Sequence, residues 1–204
     1  MKRRLKLDWV TVLLILGSLV MWGRFPFEMG HHPGYQYIPF IVAIVYLLML
    51  ISPLLDRKGG LTASLNAYTN IIRAVVIAIL FQYYVGLAVH LGLLYENFAR
   101  YLSFPHVPIG IALLLIGNHL PQIKPNSFVG VRTPWTLKDP DVWRKTNRLC
   151  GYFSMLTGIF LILSPLLLPA RMLFIGLVLI LPIYGMLFIL YSYWLYHRKS
   201  TKIS

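Results

Sequence analysis

Met172-Leu-Phe-Ile-Gly-Leu-Val-Leu-Ile-Leu-Pro-Ile-Tyr-Gly-Met-Leu-Phe-Ile-Leu-Tyr-Ser-Tyr-Trp-Leu-Tyr196 is a run of 25 residues without Asp, Glu, Lys or Arg, closed by His197-Arg198-Lys199. A helix needs about 20 largely apolar residues to cross the hydrocarbon of a bilayer, so this run is long enough to do so. Five more runs of the same kind precede it: Leu7–Trp22, Tyr35–Leu55, Ala74–Tyr95, Tyr101–Gly117 and Leu149–Leu168. None carries Lys, Arg or Glu in its middle, as expected where a charge at the helix centre costs about 2.5 to 3.5 kcal/mol. The residues predict an all-α integral membrane protein, a bundle of about six transmembrane helices forming a single membrane domain over residues 1–204.

Composition agrees. Of 204 residues 58% are hydrophobic and 12% charged, where a soluble domain has about a quarter charged. A formal net charge of +13 taken alone suggests nucleic acid. The charges avoid the apolar runs and gather between them, which reports orientation instead. With the N-terminus inside, sixteen Lys and Arg fall on inner segments and only Arg24, Arg100 and Arg171 on outer ones. Both termini are therefore expected in the cytoplasm, with anionic lipid headgroups as partners of the inner surface, at about 1 kcal/mol per Lys or Arg. Trp9, Trp22 and Trp194 lie near the ends of runs, where aromatic rings anchor at headgroup level. No small-residue cleavage site follows the first run, which reads as an uncleaved span. Pro169-Ala170-Arg171 leaves room only for a tight hairpin between the last two spans. The single cysteine, Cys150, excludes an internal disulfide.

The segment 118–148, between the fourth and fifth spans, differs from a plain connector. From Gly117 to Gly151 it reads GNHLPQIKPNSFVGVRTPWTLKDPDVWRKTNRLCG. Prolines 121, 125, 134 and 140 fix backbone angles and remove amide donors. Gly130 between two valines suggests a tight turn or a close approach. Asp139 is suited to cap a helix with Pro140 at its first position and Asp141 in its first turn. An interfacial helix is expected from there, running into the fifth span with its aromatic residues toward lipid and its cations toward phosphate. The six cations of the loop serve to hold it inside, but topology does not account for the prolines, Gly130 or Thr133-Pro134-Trp135. We therefore expect a structured basic platform that binds a partner or an anion through Lys124, Asn126, Gly130, Arg132, Thr133, Pro134, Trp135, Trp143 and Arg144. Arg132 is the best carboxylate or phosphate binder among them, because its planar fork offers two parallel hydrogen bonds.

The run Lys124-Pro-Asn-Ser-Phe-Val-Gly-Val-Arg-Thr-Pro-Trp-Thr-Leu-Lys138, then Val142-Trp-Arg-Lys-Thr146 and Arg148, resembles the signature of the SdpI family. Asp56-Arg57-Lys58 and Asn70-Ile-Ile-Arg73 resemble that family's preceding inner loop, so the likeness covers residues 50–197. Asn147 and Cys150 depart from it, where members often carry His and Gly, and residues 25–37 match poorly. The resemblance implies a bacterial cell-membrane protein of six helices with two linked roles. One is immunity to a secreted antimicrobial peptide toxin, the sporulation delaying protein. The other is signalling, by holding a small cytoplasmic repressor at the membrane. Direct nucleic-acid binding is not implied. The alternative is a small transporter or lipid-binding protein on the same scaffold.

No catalytic residue, metal or cofactor is expected. Asp139 and Asp141 are neighbouring acids, but capping explains them. The histidines 31, 32, 90, 106, 119 and 197 form no pair at the i, i+4 spacing of a helical metal site. Gln82 and His90 in the third span suit interhelical hydrogen bonds. Gly151, Ser154 and Gly158 recur along one face of the fifth span and suit close packing, most simply against the sixth. Pro165 and Pro182 suggest kinks.

Overall fold

The computed structural model describes residues 8–24, 37–95, 101–102 and 106–201. Among these residues every regular element is helical. The elements are α1 (Trp9–Arg24), α2 (Ile38–Leu55), α3 (Gly60–Ala63), α4 (Leu65–His90), α5 (His106–His119), α6 (Pro134–Lys138), α7 (Pro140–Leu163) and α8 (Ala170–Ser200). Single 3-10 turns follow α5 at Leu120–Gln122 and α7 at Ser164–Leu166.

Among the described residues four helices are long and apolar enough to cross a membrane: α2, α4, α7 with the turn after it, and the Val178–Lys199 part of α8. α1 and α5, with 16 and 14 residues, are shorter than the roughly 20 residues of a full span. The outer faces of α1, α2, α7 and α8 expose large apolar side chains such as Leu13, Ile44, Leu54, Leu156 and Ile183. A soluble monomer rarely exposes contiguous apolar surface on this scale. The chain is a membrane protein.

Serine hydroxyls inside the apolar helices are satisfied locally. Ser18, Ser52, Ser164 and Ser192 each donate to the carbonyl three residues back, at 2.7 to 2.9 Å. That removes the cost of an unpaired polar group where no water can reach it.

α4 is the central helix. Half of its most apolar stretch is buried within the protein, against 12% for α8. Its Ile71, Ile72, Val76 and Leu80 pack with Ile15 of α1 and Val42 and Tyr46 of α2. The same core continues into the basic segment through Leu61, Ile123 and Trp143. Tyr83 and Tyr84 donate to the carbonyls of Ser18 and Leu14, tying α4 to α1.

α5 and α7 run antiparallel at close contact, and four glycines make this possible. A Cβ on Gly117 would lie 2.6 Å from the Gly151 carbonyl oxygen, and one on Gly158 would lie 2.6 Å from that of Gly110. Two turns separate Gly110 from Gly117 and Gly151 from Gly158, so both contacts fall on one face of each helix. This corrects the expectation that Gly151 and Gly158 pack on the last helix. α8 meets α7 chiefly through Phe153, whose ring lies edge-on to Tyr184 and Phe188, centroids 5.9 Å apart.

Two further expectations change. The third span starts at Leu65, nine residues before Ala74, and ends at His90. Arg73 is thus a helical residue, and its Nε and Nη2 grip the Asp8 carboxylate at 2.5 and 2.8 Å. The helix expected from Pro140 does run into the fifth span, as one continuous α7. Trp143 on it is 1% exposed and points into the protein, not toward lipid. Pro165 lies in the 3-10 turn that ends α7, and Pro182 lies inside α8. His31 and His32 lie outside the described residues. Asp8 pairs with Arg73 near the start of α4, and Lys199 near the end of α8 pairs with Asp139. Both ends of the described chain therefore lie toward the end of the bundle that carries the basic loop.

Candidate partner platform

The basic segment folds from local signals first. Asn126 is 0% exposed. Its Oδ1 accepts from the amides of Phe128 and Val129, both at 2.7 Å, and its Nδ2 donates to the carbonyls of Lys124 and Val129 at 2.9 and 3.0 Å. A carboxamide has two donor hydrogens and two acceptor lone pairs, so every one is used to close this turn. Farther on, Thr133 and Thr136 form a reciprocal capping box with Pro134 in the first turn, which starts α6. Asp139 caps α7 by accepting from the amides of Asp141 and Val142 at 2.8 and 3.3 Å, as its neighbours in sequence suggest.

Long-range bonds then pin these pieces to the helices. The buried Asp56 carboxylate after α2 accepts from the amides of Lys58, Leu61 and Ser127 at 3.3, 2.9 and 3.1 Å. It therefore joins two segments 71 residues apart. Gly60 lets them meet: a Cβ there would lie 2.0 Å from the Pro125 carbonyl oxygen. Lys58 Nζ donates to the Leu137 carbonyl at 2.7 Å. Trp143 Nε1 donates to the Ile123 carbonyl at 2.8 Å. Gly130 has φ +112°, and a Cβ on it would lie 2.4 Å from Asn147 Oδ1. That oxygen accepts from the Val131 amide at 2.8 Å. On the other side Trp135 Nε1 donates to Ser192 Oγ of α8 at 2.6 Å, with the ring edge-on to Tyr193 at 5.4 Å.

The nine expected platform residues thus divide in two. Asn126, Gly130, Thr133, Trp135 and Trp143 build and anchor the loop, and of these Asn126, Thr133 and Trp143 are buried. Lys124, Arg132, Pro134 and Arg144 are exposed on its surface. Arg144 pairs with Asp141, which also holds Lys145, and Lys199 pairs with Asp139. Among the described residues Arg57, Lys124, Arg132 and Lys138 pair with no carboxylate. The result is a rigid body with a free cationic surface, broken by the exposed ring of Phe128. Such a surface suits an acidic partner or phosphate groups. Lys199's hydrogen bond, followed by those from the Asp141 and Val142 amides, holds the Asp139 carboxyl below the usual carboxylate range despite partial burial.

Residue-by-residue reading passed over Asp56, Asn147 and Ser192 as parts of this site. Nothing in their spacing shows which remote amide or indole each one meets. The histidines stay apart: among the described residues no three His, Cys, Asp or Glu side chains are placed to hold a metal ion. Cys150 is half-buried on α7.

Residues 122–192 match the SdpI/YfhL protein family. The matched stretch begins at Gln122, takes in the platform and α7, and ends at Ser192, the residue that anchors Trp135. The chain is also similar to Immunity protein SdpI of Bacillus subtilis (strain 168), 39% identical over 66 residues. That alignment covers 27% of this chain and 32% of the relative, about a third of the relative's length. No solved structure matches the chain. The likeness to the SdpI/YfhL family is thus carried by residues 122–192, about a third of the chain.

Proposed function

We propose that this SdpI/YfhL-family membrane protein gives a bacterium immunity to a secreted antimicrobial peptide, and that its basic loop is the face on which a small cytoplasmic repressor docks. It works by binding, not catalysis. Six helices cross the cell membrane, with both termini and the loop in the cytoplasm. The sixteen-to-three division of Lys and Arg supports that orientation. So does the placement of Asp8 and Lys199 toward the same end of the bundle.

The observation that carries this reading is a coincidence of two findings. The family match falls on the segment that the chain folds into a pinned body with unpaired outward cations. A connector that only set topology would not need Asn126, Asp56 and Asn147 to be spent on holding its backbone. The described carboxylates are all engaged: Asp8 by Arg73, Asp56 by backbone amides, Asp139 by Lys199 and Asp141 by Arg144 and Lys145. Cavities of about 470 and 250 Å³ lie at the basic end, beside the loop.

The test is transfer of immunity. The chain is expressed in a Bacillus subtilis strain lacking its own immunity protein, and the strain is exposed to the sporulation delaying peptide. We expect the growth-inhibiting peptide concentration to rise severalfold. No rise, with the protein verified in the membrane, would contradict the immunity reading.

A further inference from the structure

Away from the platform surface, a crevice of about 250 Å³ opens between the start of α7 and the end of α8. It is lined by Asp141, Val142 and Lys145 on one side and by Leu195, Arg198 and Lys199 on the other. Three cations line it, Lys145, Arg198 and Lys199, beside the carboxylate of Asp141 and near that of Asp139, which Lys199 holds. Arg198 is the one most open to a ligand. Its guanidinium lies over the Trp194 ring, 5.0 Å from the centroid, and pairs with no carboxylate among the described residues. Stacking leaves the planar fork of an arginine able to grip a phosphate.

What lies below the crevice identifies the source of the phosphate. By helical periodicity Lys145 heads a face of α7 that continues through the exposed Tyr152 and Leu156. Arg198 likewise heads a face of α8 that continues through the exposed Trp194 and Leu190. Each cation thus stands at the end of an apolar stripe that faces the membrane, while below the crevice the two helices meet through Phe153 and Thr157 against Tyr184 and Phe188. We propose that this crevice binds the headgroup of an anionic phospholipid. Lys145, Arg198 and Lys199 meet the phosphate oxygens, and the acyl chains lie along the stripes of α7 and α8. Asp141 is the acceptor for a headgroup hydroxyl, which favours a glycerol-type headgroup over a bare phosphate. A free phosphate would use the cations but not the stripes. The inference concerns other residues than the platform and stands without the immunity reading.

The test uses the full chain in detergent, titrated with phosphatidylglycerol, phosphatidylcholine or inorganic phosphate and followed by native mass spectrometry. We expect phosphatidylglycerol to be retained at concentrations where phosphatidylcholine is not. Arg198→Gln and Lys145→Gln should each weaken it about fivefold, while Arg198→Lys restores most of the binding. The pair Lys124→Gln with Arg132→Gln removes twice that charge from the platform and should leave retention unchanged. Equal loss in that control pair, equal retention of phosphatidylcholine, or displacement of the lipid by inorganic phosphate would each overturn the proposal. Wild-type protein gives a second readout that needs no variant. A phosphatidylglycerol with a photoreactive acyl chain should label α7 near Leu156 or α8 near Leu190, and labelling confined to other helices would overturn it.

Discussion

Asn126 spends its whole hydrogen-bonding capacity inside its own turn, so its removal cannot be absorbed by a neighbour. Asn126→Ala leaves the amides of Phe128 and Val129 and the Lys124 carbonyl without their partner in a buried place. Each such buried group costs about 1–3 kcal/mol, and we expect a total loss of about 2–4 kcal/mol. Thermal unfolding in detergent gives the magnitude, and faster hydrogen exchange at Phe128 and Val129 places it. An unchanged melting temperature with protected amides would show that the turn is held by something else. Asp139 gives a prediction in pH. Lys199 and two amides hold its folded pKa below the unfolded value, so the folded state favours the carboxylate. Its contribution is complete above the unfolded pKa of about 3.9 and is lost as pH falls through the lower folded value. Neutral pH leaves the latch closed. Below about pH 4 the C-terminal turns of α8 should exchange faster, and Asp139→Asn should show that fast exchange at pH 7 already. If the variant's exchange does not differ from wild type at pH 7, the pair is not a latch.

At the scale of the element, the α5–α7 crossing is the contact least able to yield. Its close atoms are backbone on both sides, so no rotamer change relieves a new side chain. Gly158→Val should cost about 3 kcal/mol. Gly185→Val on α8, where nothing lies within 4 Å of the added Cβ, serves as the control with little loss. Equal unfolding temperatures for the two variants would remove the crossing from the account. The same helices show what a single chain reveals. The start of α7 was legible because capping is local: Asp139, Pro140 and Asp141 carry it between them. The start of α4 was not, because Arg73 was counted as a loop residue when a remote carboxylate, Asp8, pairs with it inside the helix. The close-packing glycines of α7 were recognised, yet their partner was taken to be the adjacent helix in sequence. Trp135–Ser192 and Asp56–Ser127 stayed hidden for the same reason. A donor and its acceptor dozens of residues apart leave no periodicity to read.

At the scale of the whole molecule, the two ends of the bundle differ in charge, and the proposed orientation puts the basic end in the cytoplasm. Cys150, the only thiol, sits on α7 ten residues after Pro140 and tests this directly. In intact cells it should be shielded from an impermeant maleimide added outside and react after the membrane is opened. Labelling from outside would invert the bundle. Some residues build the platform and others only face outward on it, so the outward surface can be changed alone. Arg132→Glu combined with Lys124→Glu changes only exposed, unpaired cations, and it is compared with wild type in the peptide-immunity assay alongside membrane level and melting temperature. The account predicts full insertion, an unchanged melting temperature and a loss of most of the protection. Full protection in that variant would contradict the claim that the basic loop is the working surface.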